Sequence, residues 1–344
     1  MLLPMRTIRT LFSASLITIL SLWVGGCPSC GVEMECGGVL QEPGQTSPIH
    51  GTSVPDVASF ERVVIFGDSL SDTGALLAQS FGIAPNPNAY PNGRFSNGIV
   101  WVDHFTDALQ IPSVSHAYGG AKTTGDPGAI PKPFDAAIDE YLSCRNGSVS
   151  STELFVFWIG HNDYYQGAKD PSAIASNTLR GMRKLFDAGA RSFMVPEVMP
   201  LTGTPSPFSE DGAENDDDFV DGLTDGHNAS LRQGLDALAM ELNVAIARPV
   251  PARMRDRILA DPASLGLVNT EDACYTGETT WPNGGEAEIC EAPETYFYWD
   301  GVHPSSKVHC AYAVEMLRSL SEMNLIDVVI DEDARLSDCG THKT

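Results

Sequence analysis

Basic residues are scarce in this chain. Only 21 Lys and Arg stand against 45 Asp and Glu, which leaves a formal charge of −24 over 344 residues. A surface of that sign repels polyanions and sets nucleic acid aside as a partner. Aromatic residues make up 8% and hydrophobic residues 42%, the balance of an ordinary globular protein. No internal repeat is visible, and no two cysteine pairs have the double-knuckle spacing of a zinc site. The acidic stretch 209–225, with Asp216, Asp217 and Asp218, lacks the alternating ligands and central glycine of an EF-hand. It reads as a solvated loop, so no metal site is expected. A long apolar run is missing as well. The longest lies at residues 11–24, too short for a comfortable transmembrane helix.

That run has the form of an export signal instead. Arg6 and Arg9 precede it, and Val24-Gly25-Gly26-Cys27 closes it. The closing tetrapeptide resembles the lipobox of bacterial lipoproteins, which implies lipid attachment at Cys27 and a membrane anchor there. A conventional signal peptide cut near the same small residues is the alternative, and on either reading the mature protein leaves the cytoplasm. Residues 1–26 are thus a signal segment, and the Gly- and Pro-rich residues 27–59 read as a flexible tether. The folded domain is expected over 60–344. Eight cysteines suit an oxidising compartment. Cys30 with Cys36, Cys274 with Cys290 and Cys310 with Cys339 are the expected pairings, leaving Cys144 as a free thiol.

From Phe60 onward strand-like and helix-like segments alternate. Apolar runs at 62–66, 114–118, 154–159, 191–195 and 243–247 read as strands, the third apolar throughout as in a sheet covered on both faces. Helical spacing covers 100–109, 133–142, 171–188, 227–242, 251–260 and 304–323, with Pro304 in the first turn of the last. This alternation predicts an α/β fold with a parallel sheet and helices on both faces.

The first strand ends abruptly in Gly67-Asp68-Ser69-Leu70. A serine there lies at the carboxyl end of a buried strand, where open α/β sheets place their ligand crevices. Alone, Gly-Asp-Ser is equally a turn. A nucleophilic serine needs a base, a group to orient that base, and donors for an oxyanion. Asp300-Gly301-Val302-His303-Pro304 supplies an acid and an imidazole three residues apart, although the same residues suit a turn before a helix. Gly160-His161-Asn162-Asp163 follows a buried strand directly, so the Asn162 amide is a donor candidate, or else a helix cap. Tyr118-Gly119-Gly120-Ala121 permits close approach of a backbone N–H, or is simply a turn.

Taken together and in this order, these blocks resemble the GDSL esterases and lipases, also called SGNH hydrolases. The blocks 90–98 (YPNGRFSNG) and 296–303 (YFYWDGVH) resemble the branch containing secreted bacterial lipases, hemolysin-like phospholipases and plant GDSL lipases. The resemblance spans residues 62–320. It implies a flavodoxin-like three-layer α/β/α sandwich. It further implies Ser69 as nucleophile with Asp300 and His303 completing a triad, and an oxyanion hole from Gly120, Asn162 and the Ser69 amide. Carboxylic esters are then cleaved through an acyl-serine, with no metal or organic cofactor, by a chain expected to be monomeric. Lipid acyl esters, acyl transfer to other alcohols and carbohydrate O-deacetylation all fall within that chemistry. The rival of another class is a non-catalytic surface binding lipoprotein, and no triad residue is missing to favour it. One departure stands out: Ser115 occupies a place often held by Asn, which leaves Gly119 as the fallback for Gly120.

Overall fold

The computed structural model describes residues 33–44, 60–206, 209–210, 213–214, 217–279 and 288–341. In chain order the strands are β1 (Met34–Glu35), β2 (Gly38–Gln41), β3 (Arg62–Gly67), β4 (Ser113–Ala117), β5 (Glu153–Trp158) and β6 (Ser192–Met194). There follow a small hairpin, β7 (Ser209–Glu210) and β8 (Ala213–Glu214), then β9 (Ile246–Ala247), β10 (Asn269–Ala273) and β11 (Tyr296–Tyr298). The helices that bear on the site are α1 (Ala75–Gln79), α2 (Trp101–Leu109), α3 (Phe134–Cys144), α4 (His161–Tyr165), α5 (Pro171–Asp187), α6 (Asp217–Leu242), α7 (Pro251–Ala260), α8 (Ser306–Glu322) and α9 (Glu332–Thr341).

The main sheet runs β1-β2-β4-β3-β5-β6-β9. Its last five strands pair in parallel, while β1 and β2 form an antiparallel edge. Numbered among themselves, the parallel strands have the order 2-1-3-4-5, the flavodoxin-like arrangement with its switch point between first and third. Alternate residues of each central strand feed opposite cores, as a pleated ribbon requires. Val63, Ile65, Leu154 and Val156 pack with Phe105, Met254, Val308 and Leu336 of α2, α7, α8 and α9. Val64, Phe66, Phe155 and Phe157 pack with Ile138, Met182, Leu185 and Leu231 of α3, α5 and α6. The sandwich therefore has three layers, as the alternation predicts.

Several expectations need correction. Residues 27–59 are not a tether throughout, because β2 pairs Val39 with Ser115 and Leu40 with Val114 of β4. Folded structure thus begins before Phe60. Cys144 is no free thiol: it is bonded to Cys36, which also removes the expected Cys30–Cys36 pairing. The Cys274–Cys290 and Cys310–Cys339 bonds are as expected. Cys27 and Cys30 lie outside the described residues, as does the signal segment. The acidic stretch is a loop only in part, since α6 begins at Asp217, and the exposed Asp217 and Asp218 sit in its first turn at the positive end of the helix. Pro304 lies before α8 rather than in it, bridging to Tyr298 while Ser305 precedes the first turn.

The Cys36–Cys144 bond closes a loop of 108 residues and ties the edge hairpin to the end of α3. A loop near that size is worth about 4–5 kcal/mol in the chain-entropy account. The double variant Cys36→Ala/Cys144→Ala is expected to lose about 2–5 kcal/mol of unfolding free energy in urea. Its hydrogen-exchange protection is expected to fall first at Val39 and Leu40. Unchanged stability would mean that the edge hairpin holds without the bond. Three disulfides among the described residues fit an exported protein.

Candidate active site

Three strand ends converge at the switch point. The turn after β3 carries Ser69, the turn after β4 carries Gly119 and Gly120, and α4 after β5 carries His161 and Asn162. The segment between β11 and α8 brings in Asp300 and His303 from the far end of the chain.

Ser69 Oγ lies 2.8 Å from His303 Nε2. On the other side of the ring, Nδ1 lies 2.7 Å from Asp300 Oδ2 and 2.9 Å from Oδ1. Asp300 Oδ1 also accepts the N–H groups of Val302 at 2.9 Å and His303 at 2.8 Å. Oδ2 accepts the Tyr90 hydroxyl at 2.7 Å. Burial pushes the Asp300 carboxyl up, but His303, the Val302 amide and Tyr90 outweigh it and hold the group below the ordinary carboxylate range. The carboxylate is therefore ionised at neutral pH. It keeps the imidazole proton on Nδ1, so that Nε2 faces the serine as an acceptor.

The donors sit opposite. Gly119 N–H is committed to Asp72 Oδ2 at 2.7 Å, and an added Cβ on Gly119 would stand 2.2 Å from the Phe95 ring. Gly120, at φ +79°, lines the cavity instead. Asn162 Nδ2 donates to Ala121 O at 3.1 Å, which fixes the amide plane and leaves its second N–H for the cavity. Ser115 supports the nucleophile turn: its hydroxyl donates to Ser71 O at 2.8 Å.

Buried carboxylates hold the three turns together. Asp72 accepts four backbone N–H groups, from Gly74, Ala75, Leu76 and Gly119. Burial pushes it up to about 6 against the pull of those donors. Asp163 accepts Thr123 N–H at 2.9 Å and the Thr123 hydroxyl at 2.7 Å, clamping the glycine turn to α4.

Sequence reasoning did not assign roles within 90–98, and the structure gives four of these residues one task. Tyr90 bonds Asp300, the Phe95 ring lies 5.0 Å from the His303 ring, Ser96 Oγ donates to Pro304 O at 2.9 Å, and Asn97 Oδ1 accepts Ser306 N–H at 2.8 Å. Arg94 grips Asp103 of α2 with two parallel bonds, at 2.9 and 2.6 Å. The block is a cradle for the Asp300–His303 loop.

The cavity above Ser69 has a volume of about 340 Å³. Beyond the polar end its wall is apolar and aromatic, with Leu70, Met199, Leu201, Phe297, Tyr298 and Tyr312. The sequence pattern of the GDSL-like lipases and acylhydrolases matches residues 63–315. The chain belongs to that family. As a GDSL-family member the domain is a serine-type carboxylic ester hydrolase. It is 26% identical to a thermolabile hemolysin of Vibrio parahaemolyticus over 76% of this chain, and spans 64% of that relative's length. It is 25% identical to a phosphatidylcholine-sterol acyltransferase of Aeromonas hydrophila, over 74% of this chain and 88% of the relative. A solved structure of a lipolytic G-D-S-L protein from Veillonella parvula superposes with a TM-score of 0.41 at 14% identity, covering 75% of this chain and 96% of the other.

Proposed function

We propose that this GDSL hydrolase cleaves acyl esters of lipids through an acyl-enzyme on Ser69. Ser69 Oγ attacks the ester carbonyl while His303 Nε2 takes its proton. The tetrahedral oxyanion is held by the N–H groups of Ser69 and Gly120 and by the Asn162 amide. Its collapse breaks the bond to the alcohol oxygen, which leaves with the proton from His303. Water, or another alcohol, then attacks the acyl-serine with His303 again as base, so hydrolysis and acyl transfer share one intermediate. Asp300 stabilises the imidazolium without itself being protonated.

The apolar wall beside Ser69 is the observation that carries the lipid reading, because an acetyl group leaves most of about 340 Å³ unfilled. A series of nitrophenyl esters from acetate to long acyl chains tests it, with acetylated polysaccharide alongside. Activity rising with chain length beyond acetate is expected, and a maximum on acetate alone would point to a carbohydrate deacetylase. Labelling of Ser69 by a fluorophosphonate checks the nucleophile, since an unreactive serine would revive the non-catalytic binding protein. Removing the side-chain donor with Asn162→Ala is expected to lower kcat by about 100- to 1,000-fold, with KM little changed. A loss below fivefold would remove Asn162 from the oxyanion site. We also infer lipid attachment at Cys27 and a monomeric enzyme; mass spectrometry of the membrane-extracted protein and light scattering test these in turn.

A further inference from the structure

Behind the nucleophile lies a second acid–imidazole pair. Asp68, the residue before Ser69, places Oδ2 2.9 Å from His161 Nδ1. Across the same ring, Nε2 lies 2.9 Å from Met199 N. A backbone N–H can only donate, so Nε2 accepts and the single ring proton resides on Nδ1, directed at Asp68. Both side chains are buried. The imidazole therefore bridges two loops: the nucleophile turn after β3, and the segment after β6 whose Met199 and Leu201 line the cavity.

Each end of the bridge has its own task. Asp68 Oδ1 accepts Leu70 N–H at 3.1 Å and Asp68 O accepts Ser71 N–H at 3.0 Å, so the orientation of this carboxylate sets the turn that presents Ser69. On the opposite side, Asn228 pins Val198 through two bonds, at 3.0 and 3.1 Å, and leaves Met199 to His161. Met199 is the point where that segment turns from a fixed position to the wall of the acyl cavity.

We propose that His161 is a positioning residue with two separable outputs: through Asp68 it holds the Ser69 turn, and through Met199 it sets the cavity wall that selects the acyl chain. The proposal rests on ester hydrolysis at Ser69. It predicts that the two halves of the imidazole can be replaced one at a time. Asparagine places an amide near the Nδ1 position and keeps a donor for Asp68. Glutamine reaches the Nε2 position and keeps an acceptor for Met199.

The test measures kcat and KM over a nitrophenyl ester series for wild type, His161→Asn, His161→Gln and His161→Ala, with hydrogen exchange at the Met199 amide. His161→Asn is expected to hold kcat on short esters, raise KM for long ones on the order of tenfold, and expose the Met199 amide. His161→Gln is expected to keep the chain-length profile and Met199 protection but lower kcat on the order of tenfold, the scale of a slight misplacement of reacting atoms. His161→Ala shows both losses. A structural role alone would move the Asn and Gln variants alike. Identical profiles for those two, or unchanged kinetics in His161→Ala, would overturn the proposal. Labelling of wild-type Ser69 by a fluorophosphonate separates the two failures: an unlabelled wild type sinks the ester reading and this inference with it. A labelled wild type with indifferent His161 variants sinks this inference alone.

Discussion

Substitution of Ser69 by alanine is expected to lower ester turnover by about a million-fold, the scale seen when a triad serine is removed. Among the described lining residues the Ser69 hydroxyl is the one paired with the triad imidazole, at 2.8 Å from a ring nitrogen that has no proton of its own to offer. Nothing structural depends on it, because that bond to His303 is the one the side chain makes among the described residues. Stability should therefore stay within about 0.5 kcal/mol of wild type, as for changes that touch no packing or network. Paired measurements of kcat and of the urea midpoint decide the matter. A purified Ser69→Ala protein that keeps a tenth of wild-type activity would contradict the assignment outright.

Replacing Asp300 with asparagine is expected to lower kcat by about 10,000-fold while the fold persists. The reason lies in the four donors that surround the carboxylate. The N–H groups of Val302 and His303 both point at Oδ1, so the oxygen of an asparagine must take that side. Its NH2 group then faces His303 Nδ1 and the Tyr90 hydroxyl. Nδ1 can meet a donor only by giving up its proton, which moves to Nε2. The imidazole would then present a proton to Ser69 instead of a lone pair, and it could not act as base. Nitrogen-resolved NMR of the ring reports the tautomer directly. An Asp300→Asn enzyme with the proton still on Nδ1, or with kcat within tenfold of wild type, would refute the argument.

Much of this architecture could be read from the chain because it is written in local signals. Val63 to Phe66 and Leu154 to Trp158 are continuous apolar runs that only a doubly covered strand can bury. Ser69, Asn162, Asp300 and His303 each follow or precede such an element within a few residues, which let three ambiguous turns be placed at one end of one sheet. The edge hairpin escaped because strands of two and four residues carry no period, and Gly37 and Gly38 suggest only a turn. The first turns of α6 escaped because Val220 and Leu223 are too few to outweigh the carboxylates around them. The Cys36–Cys144 bond and the Asp68–His161 pair join residues 108 and 93 apart, and no spacing rule links partners at such separations. Local chemistry was legible, and of the long-range pairings only Ser69 with His303 was, through the family resemblance.

The edge hairpin also fixes where any anchor would pull. Leu40 N–H reaches Glu33 O, and Leu40 stands opposite Val114 near the start of β4, so the chain enters the sheet beside the amino ends of the parallel strands. Ser69 follows their carboxyl ends: Val114 is level with Val64, three residues or about 10 Å along β3 from Gly67. Cys27 precedes Glu33 by six residues, which extend to about 20 Å at most. If Cys27 carries the inferred lipid, the domain would be held close to the bilayer on a short stalk rather than a long leash.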